Sequence, residues 1–195
     1  MFISSGEHAR FEEAIFQAFP IGNSPKLAWE EKTTFACQAK KLLTDRRWPE
    51  VIGYRLVDGE LDPSLSVWMA FIPMDVFQYY LPSHLIFASI LLKAGPESLM
   101  YPMQVMQAMI LAPSDDEAQI REIDDELYME ALVADNKENR AALYSRMTKE
   151  QRACVAQYLG LYLDHKRPDF SERGVDFFMQ NIGYWQNSSL PVSRP

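Results

Sequence analysis

The sequence predicts a mainly α, single-domain multi-helix globule with at most one small β-hairpin. Three observations lead there. Apolar residues recur at three- and four-residue spacing through most of the chain, as one buried face of a helix requires. Capping residues and prolines punctuate those stretches at helical intervals. The 195 residues are 48% hydrophobic and include four Trp, eleven Phe and nine Tyr, enough to fill one core and too apolar for a disordered chain.

Ser4 and Glu7 have capping-box spacing, and Phe11, Ile15 and Ala18 form a stripe that must end near Pro20. A turn follows at PIGNSP. Ala28 to Leu43 reads as a second helix, with Phe35, Cys37, Ala39, Leu42 and Leu43 as its apolar content. Lys40, Lys41, Arg46 and Arg47 gather at its C-terminal end, where cations complement the helix dipole. The stretch WPEVIGYRLVDGELDPSL is the least helical: Val51 to Val57 reads as a short strand, Asp58-Gly59 as a hairpin turn, and Val67 to Ile72 as the returning strand.

Phe71 to Lys93, FIPMDVFQYYLPSHLIFASILLK, is long and apolar, but Asp75, Gln78, Ser83, His84 and Ser89 interrupt it too often for a membrane span. Pro82 lacks an N–H, and its ring opposes the carbonyl four residues back. The expectation is therefore two helices, Met74 to Tyr80 and Pro82 to Lys93, meeting at Tyr80 and Leu81 and stopped by Gly95 and Pro96. Leu81, Leu85, Ala88 and Leu92, widened by Ile86 and Ile90, predict burial nearly all round. A further helix from about Pro102 to Leu111 carries Met103, Met106 and Met109, which fill core gaps or line an adaptable surface.

From Ser114 the composition changes. Nine acidic residues lie between Asp115 and Asp135 against one base, Arg121, while Ile120, Ile123, Leu127 and Ala131 keep a helical stripe. This predicts a docked helix with an acidic outer face. Lys137 to Met147 is another helical piece. Thr148 and Gln151 repeat the capping-box spacing before Val155, Tyr158, Leu159, Leu161 and Tyr162, in a helix running to about His165. Pro168 breaks it and Ser171 offers a new N-cap; Val175, Phe178, Met179 and Ile182 form a last stripe ending near Trp185. Residues 1–186 are thus expected to form the domain and 187–195 a flexible tail.

A formal charge of -8 and a pI near 4.9 argue against nucleic-acid binding, which rests on Lys and Arg at phosphates. Cys37 and Cys154 lie far apart in helix-like sequence without CxxC spacing, which suits a reducing compartment. The N-terminal MFISSGEHARFEEAIF has no basic region followed by a continuous apolar one, so the expected location is the cytoplasm. His8, His84 and His165 fall in no metal-binding pattern, and nucleophile-elbow, P-loop and dinucleotide motifs are missing, so no catalytic residue, metal or cofactor is predicted.

Trp48, the segment FIPMDVFQYYLPSHL and the later MTKEQRACVAQYLGLYL together resemble an uncharacterised family of small bacterial proteins, a domain of unknown function. Members similarly show a first helix ending in Ala-Phe, a Trp before a hairpin-like stretch, a Tyr-Tyr-Leu-Pro phrase before a core helix, and a late Gln-centred helix. The resemblance covers residues 45–185 and implies a soluble bacterial protein, with no activity or catalytic residue to carry over. The acidic stretch is elongated relative to that pattern.

The expected function is non-enzymatic protein binding, in its most concrete form a bacterial immunity protein that neutralises a toxin. The binding face would be Asp115, Asp116, Glu117, Glu122, Asp124, Asp125, Glu126 and Glu130, and the partner a basic protein. Two alternatives stay open. One is an enzyme with a pocket near His84, using that residue, Tyr79 or Tyr80 as proton carrier; the other is a structural homodimer joined by the methionine surface.

Overall fold

The computed structural model describes residues 5–27, 34–57, 73–94, 100–110 and 137–187. All regular structure among these is helical. Contacts group the chain into two compact units, one within Glu12–Val105 and one within Met1–Phe11 and Met106–Pro195.

In the Glu12–Val105 unit, α1 (Ser5–Ala18), which begins outside it, ends where expected, and Ile15 and Phe19 are buried. Helix α2 (Thr34–Leu43) stops at Asp45, whose φ of 58° places it in the left-handed region that commonly ends helices. Helix α3 (Trp48–Val57) corrects the expectation of a strand at Val51 to Val57. The reason is local to its first turn. Pro49 sits where no backbone donor is needed, and Glu50 reaches back to accept the Arg47 N–H at 2.5 Å, as in half of a capping box. These start signals, with Trp48, Val51 and Ile52 buried, outweigh the β-branched content.

A second correction concerns Pro82. The two predicted helices are one, α4 (Met74–Ala94), with Pro82 inside it. An interior proline costs about 3 kcal/mol against alanine. Here every residue from Tyr80 to Ser89 is buried, so the side chains lost by breaking the helix outweigh one missing hydrogen bond. Helix α3 packs against α4. Helix α5 (Met100–Met109) follows, with Met106 and Met109 buried and Met103 half-buried.

In the unit completed by Met106–Pro195, α6 (Lys137–Arg146) leads to α7 (Lys149–Lys166), a 3-10 turn (Arg167–Asp169) and α8 (Glu172–Gln186). The Thr148 box is complete: Gln151 N–H donates to Thr148 Oγ1 at 3.3 Å and Thr148 N–H to Gln151 Oε1 at 3.1 Å. Ser171 Oγ accepts the Gly174 N–H at 3.2 Å to open α8. Cys154, Val155, Tyr158, Leu159, Tyr162 and Leu163 bury one side of α7, which packs on α8. There Tyr162 stacks on Phe178 with centroids 5.9 Å apart, and Phe170 meets the same ring at 5.0 Å. Trp185 is fully buried and donates its indole N–H to the Met109 carbonyl at 2.6 Å. Met179 departs from the predicted stripe: it is 56% exposed, and Phe177 and Asn181 take the buried positions.

The capping residue Ser4, the start of the second predicted helix at 28–33, the Asp58-Gly59 turn, the strand from Val67 to Ile72, the Gly95-Pro96 stop and the tail beyond 187 lie outside the described residues.

Candidate functional site

The predicted binding residues, Asp115, Asp116, Glu117, Glu122, Asp124, Asp125, Glu126 and Glu130, lie outside the described residues as well. What the structure does place are the groups the sequence offered for chemistry. Tyr79, Tyr80 and His84 stand on two successive turns of α4, with Ser83 between them.

The hydroxyls of Tyr79, Tyr80 and Ser83 form a row of donors. Tyr80 Oη shares its proton between the carbonyls of Leu43 and Arg46, at 3.1 and 2.6 Å. One turn on, Ser83 Oγ donates to the Trp48 carbonyl at 2.5 Å. Tyr79 Oη donates to the Gly22 carbonyl at 2.9 Å, tying the PIGNSP turn to the same helix. The three side chains therefore bind four backbone carbonyls: those of Leu43, the last residue of α2, Arg46 in the link, Trp48, the first residue of α3, and Gly22 in the PIGNSP turn. This is the strapping together of a corner, and it gives the Tyr-Tyr-Leu-Pro phrase a structural job.

Acid–base work at these positions meets two physical obstacles. Tyr80 is fully buried, and burial pushes its phenol far above the ordinary tyrosine value, reinforced by Tyr79 and Glu50 nearby. Tyr79 is raised in the same direction, again chiefly by burial. Both protons are already committed to carbonyls. His84 is fully buried and lies parallel to Phe77 with ring centroids 5.8 Å apart, a packing role within the helix.

Around the corner, Phe16 lies 4.8 Å from the Trp48 ring and is 40% exposed. Arg47 pairs with Glu50 at 3.0 Å on the surface. The backbone N–H of Arg47, then its guanidinium, holds the Glu50 carboxyl below the usual value. The Trp48 indole N–H is buried and has no hydrogen-bond acceptor among the described residues.

In the unit of α7 and α8, Cys154 is buried and its thiol is pushed up to about 11 by desolvation, which leaves little thiolate at neutral pH. Burial, and then the neighbouring Lys166, draws the half-buried His165 below the usual histidine value. Arg152 lies over the Tyr144 ring, 4.7 Å from its centroid, while the Tyr144 hydroxyl donates to the Asn187 carbonyl. Among the described residues no three His, Cys, Asp or Glu side chains come together as metal ligands.

Sequence reasoning missed Ser83 and Trp48 as partners. The contact joins residues 35 apart in the chain, and no local pattern announces it. No described helix is long and apolar enough to cross a membrane. Comparison with protein-family models, curated proteins and solved structures finds no match for this chain.

Proposed function

We propose that the protein acts by binding a basic protein partner through the acidic stretch Asp115 to Glu130, in the manner of an immunity protein that masks a toxin. The observation that carries this reading is where the charge sits. The nine carboxylates against one arginine between Asp115 and Asp135 equal the whole formal charge of -8, so the remaining residues are electrically balanced. A field confined to one stretch captures and orients an oppositely charged partner better than the same charge spread over the surface. The commitment of Tyr79 and Tyr80 to strapping a corner supports the same reading, because it accounts for those residues without a reaction.

The test compares the intact chain with a variant in which Asp115, Asp116, Glu117, Glu122, Asp124, Asp125, Glu126 and Glu130 become Asn or Gln. Each is used to capture proteins from a bacterial lysate at low and moderate salt. The intact chain is expected to retain a basic protein in stoichiometric amount, with salt weakening capture and the variant losing it. Retention of the same proteins by both, or of none by the intact chain, would sink the reading.

A further inference from the structure

The corner between α2 and α3 carries three separate marks of stored cost. Asp45 holds a φ of 58°, a region that residues with a Cβ occupy uncommonly. The Trp48 indole N–H is buried with no acceptor among the described residues, a penalty that exists only while the corner is closed. Helix α3 itself contains VIGYRLV, whose β-branched residues and interior glycine favour other conformations. Against these stand the hydroxyls supplied by α4, Tyr80 on the Leu43 and Arg46 carbonyls and Ser83 on that of Trp48. Over residues 51–57, local strand preference and the helical environment thus oppose one another, and such conflicts concentrate at parts of a protein that move or act.

We propose that this corner is a strap that opens: α3 leaves α4 and gives up its helix while α4 persists, and the Tyr80 and Ser83 hydroxyls set how often this happens. The inference stands apart from the acidic stretch and from any reading of its partner. Opening uncovers Trp48, Val51 and Ile52, which are 1%, 1% and 8% exposed when the strap is closed. An apolar surface is then available in the open state and withheld in the closed one. The open state also releases the Asp45 backbone and hydrates the Trp48 N–H, so both costs of the closed state favour opening.

Native-state hydrogen exchange on the intact chain, in steps of low urea, tests this. The amides of residues 52–57 are expected to exchange at least about a hundredfold faster than those of residues 85–92 in α4, and with a shallower urea dependence, as a local opening requires. Ser83→Ala removes one strap bond and is expected to raise the α3 rates about fivefold, leaving the α4 rates as they were. Asp45→Gly relieves the left-handed residue and is expected to slow α3 exchange about threefold. Equal rates and equal urea slopes for α3 and α4 in the unaltered chain would overturn the proposal, as would a Ser83→Ala effect shared equally by both helices. The comparison within the unaltered chain decides the matter if Ser83→Ala does not fold.

Discussion

The α7–α8 hairpin and the α2–α3 corner solve the same problem, joining two consecutive helices through a short link, by different means. In the hairpin each end signal is local: Thr148 and Gln151 cap one helix, Ser171 caps the next, and Lys166 pairs with Asp169 across the turn at 3.1 Å. The apolar faces then meet as aromatic stacks. At the corner the link is also held from a distance, by hydroxyls on a helix more than thirty residues further along the chain. The difference teaches that a turn built from its own residues is stable as soon as it forms, whereas a turn held by another helix is only as stable as that docking.

Three measurements sharpen or break this contrast. The largest effect belongs to Trp185→Ala, which empties a fully buried site and strands the Met109 carbonyl. It is expected to cost about 3–5 kcal/mol in urea unfolding and to raise exchange throughout α7 and α8. Exchange in α3, governed by its own opening, is expected to change least; a parallel rise there would show that the corner is no separate unit. Thr148→Ala comes next. It removes a complete capping box and is expected to lower stability by about 1 kcal/mol, with fraying confined to the first turn of α7.

The smallest effect is that of pH on the corner. Glu50 is held below the ordinary glutamate value in the folded state by the Arg47 N–H and guanidinium. A group lowered on folding stabilises the fold above its unfolded pKa, and that support disappears as the pH falls through the folded value. Opening of α3, corrected for intrinsic exchange, is therefore expected to become more frequent as pH falls from about 5 to about 3. Glu50→Gln is expected to remove that component of the dependence; an unchanged profile would exclude Glu50 as a support of the corner.

The same contrast explains what could be read in advance. The ends of α7 and α8 were legible because capping is a matter of residues three apart, and Thr148, Gln151 and Ser171 all act as their spacing predicts. Helix α3 was not, because strand propensity at Val51 to Val57 is a weak average that a favourable first turn and burial can override. Pro82 misled for a related reason: the cost of an interior proline is fixed, while the burial that offsets it depends on neighbours absent from any local window. Met179 was misplaced because a stripe wide enough for two faces leaves the choice of face to packing. The hydroxyl row was hidden altogether, since Tyr80 reads as a helix joint or a proton carrier and Ser83 as a polar interruption of an apolar run until their carbonyl partners are known.

Two of the four indoles in this chain sit in opposite electrostatic circumstances, and this gives each region its own spectroscopic voice. The Trp185 proton points at a carbonyl oxygen 2.6 Å away, which deshields it and moves its nuclear magnetic resonance downfield. The Trp48 proton has no such neighbour among the described residues and resonates upfield of it. Nitrogen-15 labelling of tryptophan alone therefore lets hairpin and corner be followed side by side in one tube, without altering a single residue.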